Sequence, residues 1–117
     1  MNKPIYHNQS LPKKEIIKKR DTFKEIIQKG KHHQFKYLQF FIMESKARQI
    51  GFTVPRRFGK AVRRNHIKRL MREIYRKHRQ EIGHFQIVVL ANKEADSAGL
   101  PELESEFQQF ISFCGIH

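Results

Sequence analysis

Residues 56–79 carry eleven basic side chains and a single acid, Glu73, on a stretch whose apolar residues recur at helical spacing. Ile67, Leu70, Met71, Ile74 and His78 follow the i, i+3, i+4, i+7 rule, which predicts a helix over roughly 59–79 with one greasy side. On the same wheel Arg64, Lys68, Arg72 and Arg79 fall about 60–140° from that side, and Asn65, Arg76 and Arg69 extend the cationic face to about 200°. Glu73, His66 and Lys77 take the opposite flank. The helix must therefore dock its apolar side on another layer and leave a broad basic face to solvent. Ordinary solvated faces mix signs at i, i+4, whereas Arg64, Lys68, Arg72 and Arg76 repel one another. Such a stripe makes sense against a polyanion, and the excess of Arg over Lys suits bidentate phosphate contacts.

Other elements follow from shorter patterns. Phe23, Ile26 and Ile27 predict a first helix over roughly 19–29, with Thr22-Phe23-Lys24-Glu25 as a capping box, Asp21 as a rival cap and Gly30 as the stop. Residues 31–36 are polar, with a short edge strand as one option. Tyr37 to Met43 is a strand. Its Leu38, Phe40 and Ile42 should face the core, and its Tyr37, Gln39 and Phe41 a wetter side. Gln49 to Val54 is the next strand, expected to pair with it as a hairpin and to stop at Pro55. Phe85 to Leu90 is nearly all apolar and so central. Leu103, Phe107, Phe110, Ile111 and Cys114 mark a last amphipathic helix, with Cys114 as a small buried hydrophobe. The order α-β-β-β-α-β-α predicts a single-domain α+β sandwich with helices packed on a small mixed sheet. The passage from residues 49–54 through the basic helix to residues 85–90 suits a parallel crossover.

A chain of 117 residues with formal charge +13 is one domain drawn to polyanions. Ten Phe and three Tyr exclude a disordered basic tail. No apolar run approaches ~18 residues, which argues against a membrane span. No secretory signal is visible, and the single Cys fits a reducing cytoplasm. Charge is unevenly placed: residues 1–36 hold ten basic and three acidic groups, residues 80–117 one and six. The expected organisation is a flexible basic arm over residues 1–15 and one RNA-binding domain over 16–117.

RNA is the better polyanion. A helix-turn-helix needs a helix before its recognition helix, and here a strand ending in Pro55 comes first. Aromatics on an open sheet face, such as Tyr37 and Phe41, suit unpaired bases. Several motifs fail. Gly59-Lys60 lacks the Ser/Thr and the earlier glycine of a P-loop, and the residues around Gly51-Phe52 do not match an RNA-recognition-motif sheet. The adjacent pair His32-His33 lacks metal-ligand spacing and suits a polar turn. Six of the 11 acids lie beyond residue 80, and no converging carboxylates mark a metal-dependent nuclease. No catalytic or metal-binding residue is assigned, and any RNA cleavage would not be performed by these side chains.

The run Gly51-Phe52-Thr53-Val54-Pro55-Arg56-Arg57-Phe58-Gly59-Lys60-Ala61-Val62-Arg63-Arg64-Asn65-His66-Ile67-Lys68-Arg69-Leu70-Met71-Arg72-Glu73 closely resembles the bacterial ribonuclease P protein component. The resemblance extends to Arg20-Asp21-Thr22-Phe23, to Gly30 and to the apolar strand at 85–90. It implies a cytoplasmic subunit of a ribonucleoprotein in which a catalytic RNA, served by Mg2+, removes the 5′ leader from precursor tRNA, with no protein oligomer required. By matching position, Arg64, Asn65, Lys68, Arg69 and Arg72 would bind the catalytic RNA, with Arg56, Arg57 and Lys60 nearby. His66 replaces the second arginine of the family's Arg-Asn-Arg, keeping a hydrogen-bonding group but giving up phosphate charge at pH 7. The resemblance also implies a left-handed crossover and a cleft for the single-stranded leader. Phe23 matches an aromatic of that cleft, Ile27 stands where another aromatic often sits, and Tyr37 and Phe41 would supply sheet aromatics. The alternatives are a ribosome-associated structural RNA-binding protein with no substrate role, and a self-sufficient nuclease.

Overall fold

A computed structural model describes residues 11–113. Its helices and strands run α1 (Arg20–Lys29), β1 (Lys31–Gln34), β2 (Leu38–Glu44), β3 (Gln49–Thr53), α2 (Ala61–His78), β4 (Phe85–Ala91) and α3 (Leu100–Phe113), in the predicted order. Among the described residues no helix is long and apolar enough to cross a membrane. Cys114 and residues 1–10 of the arm lie outside the described residues.

The strands are ordered β1-β2-β4-β3. β4 is antiparallel to β2 and parallel to β3, so it is central, as its apolar run predicts. The expected hairpin between β2 and β3 does not form. A hairpin would have left β4 at an edge, with one row of its backbone N–H and C=O groups unpaired. Inserting β4 between the two strands pairs both its edges, while α1 covers one face and α2 and α3 the other, so that Val88 and Val89 are fully buried. The connection from β3 through α2 to β4 is the expected parallel crossover.

Alternation divides the sheet into two faces. Leu38, Phe40, Ile42, Ile50, Ile87, Val89 and Ala91 point toward α2 and α3. There they meet Ile67, Met71, Ile74 and Tyr75 of α2, and Leu103, Phe107, Phe110 and Ile111 of α3. Phe40 anchors this core, stacked on Phe110 at 4.1 Å and edge-on to Phe107 at 5.1 Å. The other face carries a smaller core of Ile17, Ile26, Phe41 and Val88, flanked by Phe23, Met43 and Leu90. α1 is the helix on that side.

Two local expectations change. α1 begins at Arg20, so Asp21 and Thr22 sit inside its first turn, and Lys19 holds the cap position without a side-chain bond. Asp21 there still complements the helix dipole. The stretch Leu11–Glu15, assigned by sequence to the arm, is bound to the domain. Leu11 packs on the larger core, and Glu15 is 5% exposed. Its carboxylate accepts from Arg79 (Nε at 3.1 Å, and Nη2) and from the Tyr75 hydroxyl at 3.0 Å, with Arg48 Nε 3.6 Å away. Arg79, which the wheel puts on the basic face, is therefore buried. It lies in the 3-10 turn Arg79–Glu81 beyond α2, where a 100° step no longer applies.

Candidate nucleic-acid interface

The approach to α2 is shaped by one backbone position. After Pro55, Arg56–Phe58 forms a 3-10 turn and Gly59 takes φ +133°, ψ −155°. That region is closed to residues with a β-carbon. No atom lies within 4 Å of a β-carbon built there, so conformation, not space, demands the glycine. The turn folds Arg56 back beside α2: Arg64 Nη1 donates to the Gly59 carbonyl and, at 3.4 Å, to that of Arg56.

Arg56, Arg57, Lys60, Asn65, His66, Arg69 and Arg72 are exposed, and Arg64 and Lys68 are half-exposed. The structure thus brings all the predicted RNA-binding residues onto α2 and its leading turn. Their neighbours on the flank toward α3 are neutralised. Arg63 pairs with Asp96, and Lys77 and His78 pair with Glu104 at 3.4 and 2.7 Å. Arg76, placed by the wheel on the cationic face, instead reaches Glu73 at 3.1 Å. Among the described residues, Arg56, Arg57, Lys60, Arg64, Lys68, Arg69 and Arg72 have no acidic partner. Burial disfavours charge on His78, but Glu104 and Glu81 outweigh it and raise its pKa.

The predicted cleft residues separate. Phe23 of α1 lies half-buried over Gly51 of β3, whose missing side chain makes room for the ring. Ile27, one turn on, is 39% exposed. Phe41 is on the same face but is only 8% exposed, packed beneath α1 and roofed by His32. It is a covered ring and not an open aromatic surface. Tyr37 does not join them. It precedes β2 in a bend, where strand alternation does not operate, and it packs on the α3 side. Its N–H donates to Glu106 of α3, and its ring lies under Lys36 Nζ at 5.2 Å.

A cleft of about 420 Å³ opens beyond Gln39 and Leu90, lined also by Gln34, Lys36, Phe58, Asn92 and Arg57. Arg57 thus links the basic turn to the α1 side of the sheet. Sequence reasoning missed this link, and also the weight of Gly51, although a glycine inside a strand signals close approach.

The buried acids are structural. Glu106 accepts from the backbone N–H groups of Tyr37 at 3.0 Å and Leu38 at 2.9 Å. Burial pushes its pKa up despite those bonds. Burial would also raise Glu15, but hydrogen bonds from Arg79 and Tyr75 and the charges of Arg79 and Arg48 outweigh it and hold the carboxyl below its ordinary range.

Comparison with known proteins agrees with this architecture. A family model described as Ribonuclease P matches residues 11–114. A ribonuclease P protein component of Chlamydia felis is 36% identical over 108 residues, spanning 90% of this chain and 77% of its own length. One from Desulfosudis oleivorans is 40% identical over 105 residues, spanning 87% of each. The RNase P protein of Thermotoga maritima superposes with a TM-score of 0.75 at 29% identity, covering 83% of this chain and 94% of that one.

Proposed function

The chain belongs to the ribonuclease P protein family and is a protein subunit of that ribonucleoprotein, and from this premise we propose how its two surfaces are used. The unpaired cations of α2 and its leading turn hold the ribonuclease P RNA. The cleft beside α1 receives the single-stranded 5′ leader of precursor tRNA, with Phe23 as one contact. The RNA performs the cleavage in the cytoplasm. Mg2+ serves the RNA's site, and the buried carboxylates Glu15 and Glu106 of this chain are held instead by Arg79 and by backbone N–H groups.

The observation that carries this assignment is the sorting of charge on α2. Its α3 flank is neutralised by Asp96 and Glu104, while Arg69 and Arg72 stand in solvent. An interior or protein-facing helix gains nothing from such asymmetry, whereas a phosphate backbone neutralises it and releases counterions.

Cleavage of precursor tRNA by protein alone, by ribonuclease P RNA alone and by both together tests the assignment. Cleavage at low salt should need both. Activity from the protein alone, or binding confined to ribosomal RNA, would overturn it.

A further inference from the structure

The pair His32-His33 is used by neither the basic helix nor the cleft contacts above. Strand alternation sends the two rings to opposite faces. His33 turns toward α3, edge-on to Phe110 at 5.5 Å and stacked beside Phe113 at 5.6 Å. His32 turns toward the α1 side, directly across the ladder from Phe41. Its imidazole lies flat on the Phe41 ring, with centroids 4.5 Å apart and planes within 3°. Phe41 is buried and His32 is exposed. The aromatic surface offered to solvent at this point of the sheet is therefore the imidazole.

A directional chain of hydrogen bonds sets the plane of that ring. The carbonyls of Phe35 and Lys36 can only accept, so Asn92 must turn its Nδ2 toward them, at 3.0 and 3.1 Å. Asn92 Oδ1 then accepts from Gln39 Nε2 at 2.6 Å, which leaves Gln39 Oε1 to accept from His32 Nε2 at 2.8 Å. Each link forces the next, so His32 carries a proton on Nε2. Imidazole χ2 is ordinarily a broad torsion. Here it is pinned from below by Phe41 and at its tip by Gln39, so little freedom remains for a ligand to remove.

We propose that His32 is the stacking platform for one unpaired base of the leader, taking the place of the buried Phe41. The assignment rests on the leader cleft proposed above. A flat ring open on one side suits base stacking, which tolerates any base. The surroundings select a nucleotide over other flat ligands. Gln39 and Asn92 also line the 420 Å³ cleft, whose wall carries Lys36, Arg57 and Lys93 against the single acid Glu94. Those cations stand ready for a phosphate next to the stacked base.

The test uses the reconstituted ribonucleoprotein with native chain, His32→Ala, His32→Phe and Gln39→Leu. Each is titrated with precursor tRNA, with precursors carrying an abasic nucleotide at successive leader positions, and with mature tRNA. His32→Ala should weaken precursor binding roughly 5- to 150-fold, the value of one stacked base, and leave mature tRNA unchanged. One abasic position should cause the same loss in the native complex and no further loss in His32→Ala. His32→Phe should restore binding, and Gln39→Leu should fall between. Unchanged precursor binding in His32→Ala, equal loss on both RNAs, or additive losses with every abasic position would overturn the proposal. If the native complex does not prefer precursor to mature tRNA, the leader cleft itself fails. If native and His32→Ala prefer it equally, only the His32 assignment fails.

Discussion

The ring of Phe23 lies over Gly51 so closely that a β-carbon on residue 51 would stand 2.4 Å from the ring tip. Helix α1 is thereby registered on the edge strand β3 by an aromatic resting on bare backbone. Because the ring is half-buried and can turn, Gly51→Ala should cost only about 1 kcal/mol of stability while displacing Phe23. Phe23→Ala and Gly51→Ala should each weaken leader-bearing precursor more than mature tRNA. The double variant should lose no more than Phe23→Ala alone. A double-mutant cycle in binding and in urea unfolding measures this coupling.

Arg79→Ala strands the buried Glu15 carboxylate and should cost about 3–5 kcal/mol. The same pair predicts an acid dependence. Glu15 is held below its ordinary value of 4.5, so its contribution is present above that pH and is lost as pH falls through the lower folded value. Urea midpoints measured from neutral to acid pH should show this loss in the native chain and a flatter limb in Arg79→Ala.

Arg69 and Arg72 are exposed and lack acidic partners among the described residues. Changing both to Ala should leave thermal stability within about 0.5 kcal/mol. The salt dependence of binding to ribonuclease P RNA should fall by about one unit of slope per lost contact. Arg76→Ala, which removes the pair to Glu73, should change the slope less. Binding isotherms at several salt concentrations distinguish the two variants.

His78 predicts a dependence of the opposite sign. Its folded pKa lies above the ordinary 6.5 because Glu104 and Glu81 outweigh burial. Its stabilising effect is full below 6.5 and disappears as pH rises through the folded value. The difference in unfolding midpoint between the native chain and His78→Gln should therefore shrink from mildly acidic toward alkaline pH.

Glu106 is the buried acceptor for the turn into β2. Glu106→Ala leaves the N–H groups of Tyr37 and Leu38 without it and should cost about 2–5 kcal/mol. Glu106→Gln, which keeps an acceptor oxygen, should cost less. Thermal unfolding of the two variants side by side gives the comparison.

Much was legible in the residues because period and alternation are local. Ile67, Met71 and Ile74 mark the buried side of α2 by helical spacing alone, and Leu38, Phe40 and Ile42 mark the core side of β2 by strand spacing. The basic face is equally local, since an arginine one-third of a turn from the apolar stripe must meet solvent wherever the helix docks. Three things could not be read this way. The insertion of β4 between β2 and β3 depends on pairing both edges of the most apolar strand, a property of the whole sheet. The withdrawal of Arg79 from the basic face depends on Glu15, 64 residues earlier. The exchange of Phe41 for His32 as the exposed aromatic depends on a relay that starts at Asn92, on another strand's end. Residue order and local period were enough to say which surfaces are apolar and which are cationic. Which charges stay unpaired and which ring faces the solvent emerge from the folded chain alone, because both are settled by partners distant in the sequence.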